Sequence, residues 1–439
     1  ATVGGPDTEE SMAPEIAADL KVTLGAVGLF ESAYAIGVAI GAPLFTAIGS
    51  RVSRPRMLLA TAAVFLVGNL VSALGPSYDI IMAGRVISAM AHGAFLGIAA
   101  VFAADLVAPQ VKGRAIATVF AGLTASTVLG APIGAAVGRA LGWRATFWSL
   151  VLMGAITLIG LIVLLPRRRQ ATEGEHTASA VGTHGSTEHS AHHNADHGEH
   201  EISDADLAGL DAHALTHMGG GGQAAPLREQ LRALGRPGVW LSLLMTLLGY
   251  GGVFTSYVYL APQLTEVAGF DPVWVTPLFL LFGVGLFIGN TLGGRLADTY
   301  GLGAVVGTVA GLALVLFLMT FTITNPVTAI VGLLVYGIAA FAVVAPLQLR
   351  VMTQAGDAPD IASAANISAF TLGSALGIWL GGAAIDSGLG LTSVNWVGAL
   401  ISLAGLVLAL IAWLGRDRGQ PVHSIDHHQT HGHGALSHH

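Results

Sequence analysis

Apolar stretches of about 20 residues recur along most of the chain, each long enough to cross a roughly 30 Å hydrocarbon core as a helix. Bounded by turn and charge signals, they run over 23–48, 57–75, 79–105, 114–138, 145–165, 239–261, 273–297, 302–323, 327–352, 360–386 and 392–414. The pattern predicts eleven complete membrane spans. Ahead of them, residues 1 to 20 hold Asp7, Glu9, Glu10 and Glu15 and cannot cross a bilayer alone, and the chain starts with Ala1 rather than Met. The expectation is a first span that is cut, leaving its outer end as residues 1 to 13. The complete spans are therefore numbered 2 to 12.

Residues 167 to 236 form the one long polar interval. It divides the chain into an N-terminal membrane bundle (1–166), a central loop (167–236), a C-terminal membrane bundle (237–414) and a tail (415–439). Weak internal symmetry supports a six-plus-six plan: Gly41-Ala42-Pro43-Leu44 leads to Ser50-Arg51 as Gly289-Asn290-Thr291-Leu292 leads to Asp298-Thr299. Parallel halves of this kind predict alternating access around a midplane site.

Composition sharpens this picture. With 53% hydrophobic and 10% charged residues, against about 25% charged in soluble proteins, the chain is excluded from the soluble globular class. With no Cys, disulfides, thiolate metal sites and cysteine catalysis are excluded too. The net charge of -7 matters less than where the charges fall. Arg51, Arg54, Arg56, Lys112, Arg114, Arg167, Arg168, Arg169, Arg228, Arg232, Arg236, Arg295, Arg350, Arg416 and Arg418 gather at one face of the predicted bundle, and only Lys21, Arg139 and Arg144 at the other. Lys and Arg accumulate on the cytoplasmic side, so the C-terminus and central loop are expected inside, in a bacterial inner membrane.

Glycines recur every four positions: Gly37 and Gly41 in span 2; Gly130, Gly134 and Gly138 in span 5; Gly285, Gly289 and Gly293 in span 8; Gly373, Gly377 and Gly381 in span 11. Such a stripe lets two helix backbones approach closely. It fits a seam along which the two halves rock, or ordinary packing; span 9 (Gly303, Gly307, Gly311) has one as well.

Several segments now carry a resemblance. Gly294-Arg295-Leu296-Ala297-Asp298-Thr299-Tyr300-Gly301 closes span 8, and Ser50-Arg51-Val52-Ser53-Arg54 is its counterpart in the first half. Arg85 to Gly93 in span 4, Gly130-Ala131-Pro132-Ile133-Gly134 in span 5 and Asn366-Ile367-Ser368-Ala369-Phe370 in span 11 complete the set. With these the chain resembles the major facilitator superfamily, in particular bacterial drug:proton antiporter-type exporters similar to arabinose, purine and chloramphenicol efflux proteins. The resemblance implies an all-α polytopic fold of two six-helix bundles, here with the first helix truncated. It also implies a gating motif at Ser50, Arg51, Arg54, Gly294, Asp298, Gly301, Gly130, Pro132 and Gly134. Ser50 stands where the general motif has Asp, and Ala131 where the antiporter motif has Gly. The cavity is expected between the remnant and spans 4, 7 and 10.

Candidate transport residues follow from burial costs. Arg85 in span 4 costs about 2.5 to 3.5 kcal/mol at the bilayer centre, so it must face protein or water. His92 lies two turns on, on the same face, as a solute contact or a packing histidine. Glu31, in span 2, is the one carboxylate well inside a complete span. Glu31, or Asp7 or Glu10 from the remnant, is expected to exchange a proton while Arg85 pairs with the deprotonated form; the alternative is a permanent structural ion pair. Tyr250, Phe254 and Tyr257 share one face of span 7, and with Gln348 in span 10 and Asn366 in span 11 they suit a moderately apolar organic solute. An aromatic packing stripe and helix–helix hydrogen bonds explain the same residues.

Sixteen of the seventeen histidines lie outside the predicted spans, nine in the central loop and seven in the tail. His192, His193, His197 and His200 form the densest cluster, able to hold a divalent metal loosely. A solvated low-complexity linker is the plainer account.

The expected function is therefore a non-enzymatic secondary transporter exporting a small organic solute in exchange for protons. The expected partners are lipid, solute and protons, without nucleic acid, resident cofactor or a second subunit. A divalent-metal (Ni, Co or Zn) exporter and a non-transporting membrane metal sensor are the alternatives. No Walker-type nucleotide loop is present in the sequence, which makes an ion gradient the expected driver.

Overall fold

The computed structural model describes residues 13–165, 226–356 and 358–416. Among these residues the structure is helical, without strands. Ten helices are long and apolar enough to cross a membrane. Spans 2, 3, 4 and 6 are Leu24–Ile48, Arg54–Leu74, Tyr78–Asp105 and Arg144–Leu164. In the second half, spans 7, 8 and 9 begin as Pro237–Tyr257, Val275–Tyr300 and Leu302–Thr322, and spans 11 and 12 as Pro359–Ala384 and Ser393–Arg416.

Two spans are interrupted. Span 5 runs as Lys112–Ala125, a π turn at Ser126–Gly130 and Ala131–Leu141, and so interrupted it is not among the ten that qualify by length and apolarity. Pro132 follows the π turn, and its nitrogen cannot donate to the turn before it. Span 10 is Pro326–Ala342 followed by Val344–Ala355, with Pro346 failing to donate to the Ala342 carbonyl. Span starts are set locally: the Asn325 side chain accepts from the Val327 and Thr328 amides, and Thr23 accepts from Ala26.

Of the expected outer remnant, residues 1 to 13, only Ala13 is among the described residues. The helix found there is Ala13–Leu20, whose Ile16 packs with Phe30, Ile81, Trp143 and Phe147 and whose Asp19 pairs with Arg144. A second short helix, Leu227–Leu234, lies just before span 7, at the end of the bundle that carries most Lys and Arg. That end is called the basic end below.

The halves meet along spans 2 and 11 and along spans 5 and 8. The glycine stripes, however, are not what joins them. A Cβ at Gly37 or Gly41 would strike Ala89 or Met90 of span 4, in the same half. At Gly285, Gly289 and Gly293 it would lie 2.5, 2.1 and 2.4 Å from the Leu334, Ile338 and Ala342 carbonyls of span 10; Gly373 and Gly377 meet span 7 just as closely. These stripes therefore hold each half together. Among the described residues Gly134 has nothing within 4 Å and Gly130 only Ser126 of its own helix, while Gly138 is buried, so only the last glycine of the span 5 stripe is packed.

Candidate transport site and its closed end

The basic end is sealed by charge. Arg54, at the start of span 3, donates from Nε and Nη2 to the two carboxylate oxygens of Asp360 at 2.7 and 3.0 Å, and from Nη1 to Asp105 at 2.5 Å. Asp105 ends span 4 and Asp360 begins span 11, so one guanidinium ties the two halves. Arg54 is 7% and Asp360 2% exposed. A forked donor on a carboxylate, shielded from water, is stronger than a surface ion pair.

The second tie mirrors it. Asp298, at the end of span 8, accepts from the Gly113 and Arg114 amides at 2.5 and 3.1 Å. These are free N–H groups at the N-terminus of span 5, where a carboxylate both caps and meets the positive end of the helix dipole. Gly294 lets the helices come this close: a Cβ there would lie 2.7 Å from that of Ala117. Gly301 turns the chain beyond span 8 with φ of +51°. In the first-half motif Ser50 is buried in the turn and Arg51 exposed, so Arg54 alone of the three reaches across.

Above these ties the seam is polar but uncharged. Asn290 donates to the Ala117 carbonyl at 2.6 Å, Ser363 to Gly97 at 2.8 Å and Ser368 to Ala39 at 2.5 Å. Higher still, Phe120 of span 5 meets Phe370 of span 11, which packs edge-on against Tyr250. Then a cavity of about 120 Å³ opens, lined by Leu123, Tyr250, Val253, Phe254, Tyr257, Phe282, Leu286 and Phe341. Gly113 and Leu123 are ten residues apart, so the cavity starts about 15 Å from the lower tie. Its lining belongs to the second half except for Leu123. Tyr257 stacks on Phe282 at 5.4 Å, and Tyr250, Phe254 and Tyr257 follow one another at 5.9 and 5.6 Å.

Three expected solute contacts lie elsewhere. Gln348 is fully buried; it donates to Ser363 at 2.6 Å and accepts from Asn366 at 2.7 Å, which makes this pair the support for the Ser363 bond across the seam. His92 belongs to a first-half cluster, its Nδ1 2.8 Å from the Tyr34 hydroxyl and its ring edge-on to Phe65. Arg85, 7% exposed, lies over the opposite part of that cluster, with its guanidinium carbon 4.4 Å from the Tyr34 ring centroid. Arg85 and His92 do share a face, and Tyr34 of span 2 joins them. Glu31 is described only in its backbone, one turn before Tyr34, and Pro132 likewise; Asp7, Glu10, His192, His193, His197 and His200 lie outside the described residues. No group of three or more His, Cys, Asp or Glu that could hold a metal occurs among the described residues.

Sequence reasoning missed Asp105, Asp360, Tyr34 and Phe282, and named Phe370 only as the last residue of the span 11 motif. Asp360 alone left a trace: an acidic residue directly after Pro359, at a span start on the face rich in arginine.

A helical bundle of two halves, tied at one end around a cavity within its membrane-spanning part, defines a polytopic membrane transporter fold. The chain belongs to the Major Facilitator Superfamily, whose family model matches residues 11–369. It is 35% identical over 409 residues to the inner membrane transport protein YdhP of Escherichia coli K12, covering 93% of this chain and 92% of that one. It is also similar to the chloramphenicol resistance protein of Streptomyces lividans, 30% identical over 91% of this chain and 90% of that protein. The solved structure of the proton:xylose symporter XylE shares the fold with a TM-score of 0.65 at 16% identity, over 92% of this chain and 90% of that one.

Proposed function

We propose that the protein is a secondary active exporter of a small, largely apolar organic solute, working by alternating access and exchanging the solute for protons. The observation that carries this reading is the aromatic cavity on the seam, shut off from the basic end by the Arg54–Asp360 and Asp298 ties. The positive-inside rule puts that end in the cytosol, so the arrangement is the outward-facing member of the cycle. Rings and aliphatic groups with two phenol hydroxyls suit an apolar molecule held by a few polar contacts.

The proton step belongs, in this reading, to the first half. Arg85 sits where a lone charge is costly, and the face of Tyr34 supplies part of its compensation. Glu31, or Asp7 or Glu10, takes the proton, and its negative form holds Arg85. A proton entering down a potential of 100 mV, negative inside, releases about 2.3 kcal/mol, enough to drive useful export.

The test is transport in everted vesicles with a pH dye, using chloramphenicol as probe because a relative bears its name. Solute-dependent proton release that vanishes in Glu31→Gln supports the reading; solute flux with no proton movement overturns the coupling. A divalent-metal exporter is the second reading, resting on the histidine-rich central loop. Deleting residues 174–217 leaves organic export intact under the first reading and abolishes Ni or Zn tolerance under the second.

A further inference from the structure

The short helix Leu227–Leu234 has three distinct faces. One is buried against the protein: Gln230 is 0% and Ala233 1% exposed, and Ala233 joins the apolar cluster of Val239, Val351, Ala358 and Ala362. Gln230 Oε1 accepts from the Ile361 amide at 3.1 Å. It thereby caps the first turn of span 11 one residue from Asp360, the carboxylate that grips Arg54. The next face is apolar and uncovered, with Leu227 38% and Leu231 53% exposed four residues apart. Beside it run Arg228 and Arg232, also four apart, both exposed and without an ion-pair or hydrogen-bond partner among the described residues. Arg236 differs, since its Nη1 donates to the Ala355 carbonyl at 2.8 Å.

Position decides what meets these faces. The helix directly precedes span 7, whose Trp240 is 57% exposed near its start, as aromatic side chains are at a membrane–water boundary. An apolar stripe bordered by arginines at that level matches a helix lying in the interface, its leucines at the acyl boundary and its guanidinium groups among phosphates.

We propose that this helix is a sensor of anionic lipid: Arg228 and Arg232 bind the headgroups of the adjoining leaflet, and Gln230 transmits that attachment to span 11 and so to the Arg54–Asp360 tie. Anionic lipid then favours the state closed at the basic end. The orientation rests on the transporter reading; the link between helix and tie does not.

The test uses the full chain in nanodiscs of phosphatidylcholine, with or without phosphatidylglycerol, and no solute. Spin labels at Val52→Cys and Thr299→Cys report the distance between the halves at the basic end. Phosphatidylglycerol is expected to raise the closed-to-open ratio roughly thirtyfold, given about 1 kcal/mol for each of the two arginines near an anionic surface. In Arg228→Gln/Arg232→Gln the ratio stays at its phosphatidylcholine value in both lipids. Gln230→Ala loses the response while a label at Leu231→Cys still reports headgroup depth, and Gln230→Glu, which keeps the acceptor, restores it. A lipid response that survives in the double arginine variant overturns the proposal. So does a response lost on deleting residues 174–217, which would make the acidic central loop the occupant of the arginines. Because the readout is a distance without solute, failure of export leaves this result standing, and failure here leaves export untouched.

Discussion

The two ends of the seam are built differently. At the basic end the halves interlock through a forked ion pair, a carboxylate cap and helices in backbone contact at Gly113 and Gly294. At the opposite end span 5 carries Leu129 and Ile133 more than half exposed, and Gly134 has no neighbour within 4 Å among the described residues. Polar, directional ties open and close without a rearranged core, because each broken bond can be replaced by one to water. The close backbone packing at Gly289 and Gly377, by contrast, lies inside a half and has no reason to break. Under the proposed alternating access, movement is expected at the surface between the two halves.

The largest expected effect is on the sealed end. Arg54→Ala leaves Asp105 and Asp360 facing one another without a counter-charge, a loss of about 3–5 kcal/mol for a buried pair. The closed population at the basic end should collapse, read as faster alkylation of Ser363→Cys, a position fully buried in the closed seam. Next comes Gly294→Val, which pushes side-chain atoms into Ala117 and the Gly113 carbonyl; overpacking of about 1–3 kcal/mol should part spans 5 and 8 without lowering the yield of folded protein. Asp298→Ala removes a helix cap worth about 0.5–2 kcal/mol and should give a smaller opening in the same assay. Gly134→Ala should change the closed population least, within about 0.5 kcal/mol, since nothing stands near it. If Gly134→Leu instead stops export while solute binding persists, that glycine packs only in the other half of the cycle.

Ten of the eleven expected crossings were legible because hydrophobic length decides them, even through the break before Pro346; span 5, cut by its π turn, is not among the helices that qualify by length and apolarity. That spans 2, 5, 8 and 11 form the seam was expected from their glycine stripes; which of them pair, 2 with 11 and 5 with 8, is seen only in the fold. The glycine stripes misled because four-residue spacing says that a face is approached closely but not by which helix. Gly289 is met by Ile338 within its own half rather than by the first half. The tie between Arg54 and Asp360 joins residues 306 apart in sequence, and a charge at a span end reads as an ordinary solvated terminus until its partner is seen. Gln348 and Asn366 looked like solute ligands, since a buried amide is equally suited to a ligand and to a neighbouring side chain; here each meets the other. Tyr250, Phe254 and Tyr257 do converge, but of the rings opposite them Phe282 carried no signal beyond its hydrophobicity, and Phe370 stood out only within the span 11 motif.

The central claim is that the two ends of one seam open in opposition. The chain has no native cysteine, so spin labels can be placed cleanly. Distances between Arg51→Cys and Tyr300→Cys at the basic end, and between Leu141→Cys and Val273→Cys at the other, should be measured on one preparation as pH is lowered. The account predicts that the first pair lengthens as the second shortens, with two discrete populations at each end. Both pairs lengthening together, or one changing while the other stays fixed, contradicts it.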